Sequence, residues 1–196
     1  MFVSAITSAA GVAAKVLGGV YLADFVSGAF HWMEDRYGDP KWPILGHTIR
    51  ENQQHHHTPR SFLKGNLWTR NREVILIGLA FLGLFWAVGW LNLFTGTAVI
   101  FGMFANEIHA CAHRSPKENG RIIPLAQKIG IMQSHRHHAA HHRKGKDSHY
   151  CVMTNHLNPA LEKVQFFQRV EKGIKFLTGV VPRLDDSVNP RYRRAV

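Results

Sequence analysis

The sequence is poor in cysteine and in acid. Cys111 and Cys151 are the only thiols in 196 residues. Two are too few for a disulfide framework, and neither lies in a CxxC pair, so both are expected to be ordinary reduced thiols. There is no flavin fingerprint and no cysteine set for an iron–sulfur cluster. The HExxH motif of zinc proteases is missing too, because His109-Ala110-Cys111-Ala112-His113 has alanine where the glutamate would stand. A secretory leader is not expected. The first residues lack a basic start, and Lys15 interrupts the stretch that would be its apolar core. No internal repeat or low-complexity tract is present.

Thirteen acids face 24 lysines and arginines, which gives a net charge of +11. The excess lies late in the chain, where 16 basic residues from Arg114 onward meet six acids, a balance of about +10. A chain this basic suits nucleic acid, an acidic protein or an anionic membrane surface, and charge alone does not choose among them. Hydrophobic residues make up 45%, compatible with a soluble globule or a small membrane protein.

The long apolar runs favour the membrane. Val74–Phe94 carries no charge, and its length as a helix, ~31 Å, matches the hydrocarbon thickness of a bilayer. Trp86 and Trp90 lie toward its far end, where indoles favour the interface. A turn at Thr95-Gly96-Thr97 leads into a second run, Ala98–Ala112, so the pair forms a hairpin that brings His113 back to the side from which Val74 left. Phe2–Phe30 is expected to be a further membrane helix ending near His31. Glu34–Glu73 is polar and punctuated by glycine and proline, which argues against one long helix. Ile122–Met132 is too short to span and suits the interface. Leu161–Leu177 has helical apolar spacing with basic residues between, as in an amphipathic helix on an anionic surface.

These readings give one domain over residues 1–196, an all-α integral membrane bundle of about three to four membrane helices. By the positive-inside rule the basic tail from about 114 is cytoplasmic, and it shares that face with the Glu34–Glu73 loop and all the histidine clusters.

The 14 histidines are grouped. His31 stands near the end of the first span, His55-His56-His57 lies in the loop, and His109-x-x-x-His113 ends the hairpin. His138-x-x-His141-His142 follows, with His135 and His137 just before it. Residues three or four apart share a helix face, so His109 and His113 are able to grip one ion. His138 and His141 share a face while His142 points about 100° away, so this triplet is able to feed two metals. Imidazole suits iron, zinc, copper and nickel alike. Lone histidines such as His47, His149 and His156 are by default surface or hydrogen-bonded residues, and Arg136, Arg143, Lys144 and Lys146 around the last cluster also fit a phosphate-binding strip. A structural zinc site needs four ligands and usually cysteine. Eight or so histidines on one membrane face exceed that and point to two metals. A pair of irons beside an apolar cleft suits O2 activation and attack on an unreactive C–H bond, with the metal carrying the oxidising power.

The motifs resemble a known family. They are D-F-V-S-G-A-F-H-W-M-E-D at Asp24–Asp35, Q-Q-H-H-H-T-P at Gln53–Pro59, N-E-I-H-A-C-A-H at Asn106–His113 and H-H-A-A-H-H at His137–His142. Y-C-V-M-T-N-H-L-N-P at Tyr150–Pro159 and L-T-G-V-V-P-R-L-D-D at Leu177–Asp186 follow. Over about Asp24 to Asp186 the chain is similar to the lipid desaturases that include plasmanylethanolamine desaturase, the bacterial CarF proteins and the plastid phosphatidylglycerol palmitoyl desaturase. The resemblance implies a multi-pass membrane enzyme that removes two hydrogens from a lipid chain with O2 and two iron ions. It implies eight metal-site histidines: His31, His55, His56, His109, His113, His138, His141 and His142. Asp35 matches a family acid four residues after His31, as a ligand or as a partner orienting an imidazole. His137 matches a histidine in part of the family, whereas His57, His135, His149 and His156 have no counterpart.

P-R-L-D-D looks more like the ether-lipid branch, which converts a 1-O-alkyl glycerophospholipid to its vinyl ether. A fatty acyl desaturase or a hydroxylase with the same centre is the alternative reading. A non-enzymatic protein binding metal or anionic lipid is a second alternative. The implied partners are a membrane phospholipid and an external electron donor, cytochrome b5-like or a ferredoxin, with no nucleic acid. The membrane would be the cytoplasmic one in a bacterium, or that of the endoplasmic reticulum or plastid in a eukaryote.

Overall fold

A computed structural model describes residues 2–143 and 148–183. Lys144 and Lys146 of the basic strip, and the Leu184-Asp185-Asp186 end of the last motif, lie outside the described residues. Among those described there are nine α-helices and one 3-10 turn, with no strand. They are α1 (Phe2–Arg36), α2 (Gly46–His57), α3 (Leu67–Ala87), α4 (Leu93–Met103), α5 (Ala105–His113), α6 (Ile122–Lys128), α7 (His135–His141), α8 (Leu157–Lys163) and α9 (Phe166–Thr178). The 3-10 turn, Pro59–Leu63, follows α2. The all-α expectation holds.

The helix boundaries correct the sequence reading in three places. Val74–Phe94 is not one helix. α3 begins seven residues earlier, at Leu67, where Asn66 and Thr69 form a reciprocal capping box. It ends at Ala87, and Gly89 (φ +72°) takes the left-handed conformation that turns the chain. The turn therefore falls at 88–92 rather than at Thr95-Gly96-Thr97, which sits inside α4. A second capping box explains the shift: Asn92 accepts from the Phe94 and Thr95 amides, and Thr95 Oγ1 accepts from Asn92 N. Ala98–Ala112 is also divided, at Phe104, so the hairpin's return arm is α4 and then α5. Finally, Leu161–Leu177 breaks at Gln165 (φ +50°), which leaves α8 and α9 as separate helices.

One described helix, Ser8–Arg36 within α1, is long and apolar enough to cross a membrane. α4 packs along it, and α3 along α4. Polar ties hold the ends of the frame where the histidines lie. Glu107 on α5 pairs with Arg70 of α3 (2.8 Å) and with Arg114 (2.7 Å). Asn106 donates to the Arg70 carbonyl and Asn71 accepts the Glu107 amide, so the start of α3 fixes the helix that carries His109 and His113. At the end of α1, Glu171 of α9 accepts from Trp32 Nε1 (3.0 Å) and pairs with Arg36.

Candidate metal centre

Four helices, α1, α2, α5 and α7, bring nine donors into two adjoining groups. His55, His109, His113, His138 and His142 form one, and His31, Asp35, His56 and His141 form the other. Within each group one donor atom per residue lies within 4.8 Å of every other. Helix geometry sorts them. His31 and Asp35 are four residues apart at the end of α1, and His109 and His113 are four apart at the end of α5. The adjacent His55 and His56 of α2 are about 100° apart and so enter different groups.

α7, with His142 capping its C-terminus, serves both groups as well, though not with the pairing read from the sequence. His138 goes with His142, and His141 turns to the other group. Four helical residues advance to within about 40° of a full turn, whereas three fall about 60° short, so the i,i+4 pair shares a face more closely.

In the first group the Nε2 atoms face one another. His138 Nε2 is 2.8 Å from His109 Nε2, 2.9 Å from His113 Nε2 and 2.9 Å from His142 Nε2. Donors about 2.1 Å from a shared ion and at right angles to one another are about 3.0 Å apart, so this spacing suits a common cation.

Three tautomers follow from the backbone. The carbonyls of Tyr150, Asn52 and Ser148 only accept, so Nδ1 of His31 (3.2 Å), His55 and His141 (2.8 Å) carries the proton. Nε2 of each is then a bare lone pair directed into the site. These three Nε2 atoms and Asp35 Oδ2 are buried and have no hydrogen-bond partner. Burying such atoms unmatched costs about 1–3 kcal/mol each, a cost that a bound cation removes. The residues present therefore fit a metal.

Asp35 is the acid of the second group. Its Oδ1 accepts from Asn52 Nδ2 (2.8 Å) and lies 3.0 Å from His56 Nε2. Its Oδ2 lies 3.3 Å from His141 Nε2 and 3.5 Å from His31 Nε2. Asn52 thus orients both groups, Asp35 through its side chain and His55 through its carbonyl. The sequence reading passed over it, although it stands three and four residues before His55 and His56 on the same helix.

The remaining histidines fall outside both groups. His47 and His57 are exposed, and His135 Nδ1 is bonded to the Ala112 carbonyl. His137 Nε2 lies against Asn158 and its ring against His149, while His156 is bonded to the Tyr21 hydroxyl.

Burial, reinforced by neighbouring imidazoles, holds His55 and His138 well below the ordinary imidazole range and lowers His142 as well. At neutral pH these groups are uncharged donors. Unfolded histidines take up a proton near pH 6.5, whereas these do not while folded, so acid favours the unfolded chain. Stability of the metal-free protein is full above about pH 6.5 and falls below it, by up to about 1.4 kcal/mol per pH unit for each such imidazole. Melting temperatures of metal-free protein in detergent are expected to drop steadily from pH 7.5 to 5.5. A flat profile would contradict the burial of neutral imidazoles.

Nine imidazole and carboxylate donors held in two groups on a helical frame define a histidine-cluster protein suited to metal. The chain belongs to the lipid desaturase family, a group of oxidoreductases, and matches the lipid desaturase domain over residues 20–185. It is 33% identical over 175 residues to a probable fatty acid desaturase of Acanthamoeba polyphaga mimivirus, covering 86% of this chain and 85% of that one. It is 32% identical to the plasmanylethanolamine desaturase of Myxococcus xanthus, over 87% of this chain and 63% of the relative. Fatty acid desaturase 4, chloroplastic, of Arabidopsis thaliana is 30% identical over 84% of this chain and 52% of its own length. The chain thus spans less than two thirds of the bacterial and plant relatives. No solved structure matches it.

Proposed function

We propose that the protein is a membrane di-iron lipid desaturase that forms the vinyl ether of a 1-O-alkyl glycerophospholipid. The observation that carries this reading is the pair of adjoining donor groups, five imidazoles beside three imidazoles and a carboxylate, in a chain of the lipid desaturase family. His55, His109, His113, His138 and His142 would hold one iron; His31, Asp35, His56 and His141 would hold the other. Bound there, the irons supply the oxidising power by which O2, two electrons and two protons convert a CH2–CH2 unit to CH=CH and two waters. The chain's own residues hold the imidazoles neutral, keep their lone pairs inward through the Tyr150, Asn52 and Ser148 carbonyls, and place Asp35 between His31, His56 and His141. Phe62, half-buried with its ring 4.8 Å from His109, offers an alkyl chain an apolar surface beside the imidazoles. Electrons come from a cytochrome b5-like protein or a ferredoxin.

A multi-pass membrane setting is supported by large apolar side chains that point outward along the frame. Leu17 and Phe30 of α1, Leu76 and Leu84 of α3 and Ile100 of α4 are all at least half exposed. α6 turns Ile122 and Leu125 outward, and Ile129 at its C-cap is exposed too, as suits a helix lying in the interface.

The acyl alternative is favoured by the mimivirus and Arabidopsis relatives, both named fatty acid desaturases at comparable identity. Lipid analysis of cells with and without the protein separates the readings. Vinyl ethers that accumulate only in expressing cells support the proposal. A new acyl double bond or a hydroxylated lipid in their place moves the assignment to the alternatives, and an unchanged lipidome without O2 consumption leaves a non-enzymatic metal-binding role.

A further inference from the structure

The Tyr150–Pro159 motif and Asp24 have no part in the metal set, yet the structure joins them. Asp24 is fully buried on α1. One oxygen of its carboxylate accepts from Met153 N (2.8 Å); the other accepts from Thr154 N (3.0 Å) and Thr154 Oγ1 (2.6 Å). One turn further along α1, a Cβ on Gly28 would come within 2.9 Å of the Cys151 Cα, so the segment lies directly on the helix backbone. On its other side Asn158 bonds both Cys151 N (2.9 Å) and Cys151 O (2.8 Å), and Met153 O accepts from Gln133 N (2.8 Å).

A segment pinned this way delivers two carbonyls. Tyr150 O takes Nδ1 of His31 and Ser148 O takes Nδ1 of His141. Both imidazoles belong to the Asp35 group. In the five-imidazole group the orienting carbonyl found for His55 comes instead from Asn52 on α2.

We infer that Asp24, Thr154 and the segment 148–154 form a positioning device for one half of the centre, the half built around Asp35. The inference rests on the two-metal reading of the donor groups. A carboxylate suits the task because both of its oxygens accept. In Asp24→Asn one oxygen becomes an NH2 group facing either an amide N–H or the Thr154 N–H and hydroxyl. The segment then lifts, the His31 ring loses its orientation, and one site weakens while the other is untouched.

Titration of the stripped full-length protein in detergent with Co2+, followed by d–d absorption and by metal analysis, tests this. The wild type is expected to bind two ions. Asp24→Asn and Thr154→Val are each expected to weaken one of them on the order of 10–100-fold, the range for groups that orient ligands. The second ion keeps its affinity and spectrum, and Thr154→Ser behaves as wild type because it keeps the hydroxyl. If Asp24→Asn does not fold, the Thr154→Val and Thr154→Ser pair decides. Equal weakening of both sites, no weakening in Thr154→Val, or failure of the serine variant to restore binding overturns the inference while the two-metal reading stands. A wild type that takes up fewer than two ions overturns the two-metal reading itself, and the inference with it.

Discussion

Alanine at position 138 is expected to lower product formation more than about 100-fold, since removing a donor costs more than disturbing a group that merely orients one. His138 Nε2 lies within 2.9 Å of three other Nε2 atoms, a closeness no other imidazole matches among the described contacts. Its loss leaves four imidazoles around a gap, and metal analysis should show about one ion fewer per chain. His137→Ala is the control. The His137 ring faces Asn158 and His149 rather than the donor groups, so activity should stay within about threefold of wild type. Full activity in iron-loaded His138→Ala would rule out the proposed first site.

Asp35→Asn is expected to be as damaging, by a different route. The substitution keeps the shape and removes the single negative charge among nine donors. It also sets an amide where Oδ1 now accepts from Asn52 and faces His56, and where Oδ2, with no hydrogen-bond partner, faces the imidazoles of His31 and His141. An NH2 group in either place opposes a donor or fails to bind a cation. Loss of the ion at the Asp35 group is expected, with activity down by more than about 100-fold and the five-imidazole site still filled. Mössbauer spectra of 57Fe-loaded protein separate the cases, because His138→Ala and Asp35→Asn should each remove a different component. Two unchanged iron signals in Asp35→Asn would take the carboxylate out of the ligand set.

Helical character was legible because the long uncharged runs have the length of a membrane helix and the histidines recur at the three- and four-residue spacings of the helix period. Helix ends were less so. Val74–Phe94 looks continuous by hydropathy, but side-chain-to-backbone bonds at Asn66 and Asn92 move both the start of α3 and the start of α4, and hydropathy does not register such bonds. In the same way His138, His141 and His142 were visible as a triplet able to divide between two groups. Which member went where depended on a 20° difference in helical phase and on where α1 and α5 stood.

By itself the sequence determined the chemistry: an all-helical chain, rich in imidazole, poor in thiol, with apolar runs and the motifs of a lipid desaturase. Those are properties of residue type and local period, and both survive without knowledge of distant contacts. Only the tertiary structure decided that the nine donors form two groups, that Asp35 stands in one of them, and that Asn52, Ser148 and Tyr150 set the ring nitrogens. Residues as distant in sequence as His31 and Tyr150, or Asp24 and Thr154, become partners through packing, because a carbonyl or an amide acquires direction only when the chain around it has folded.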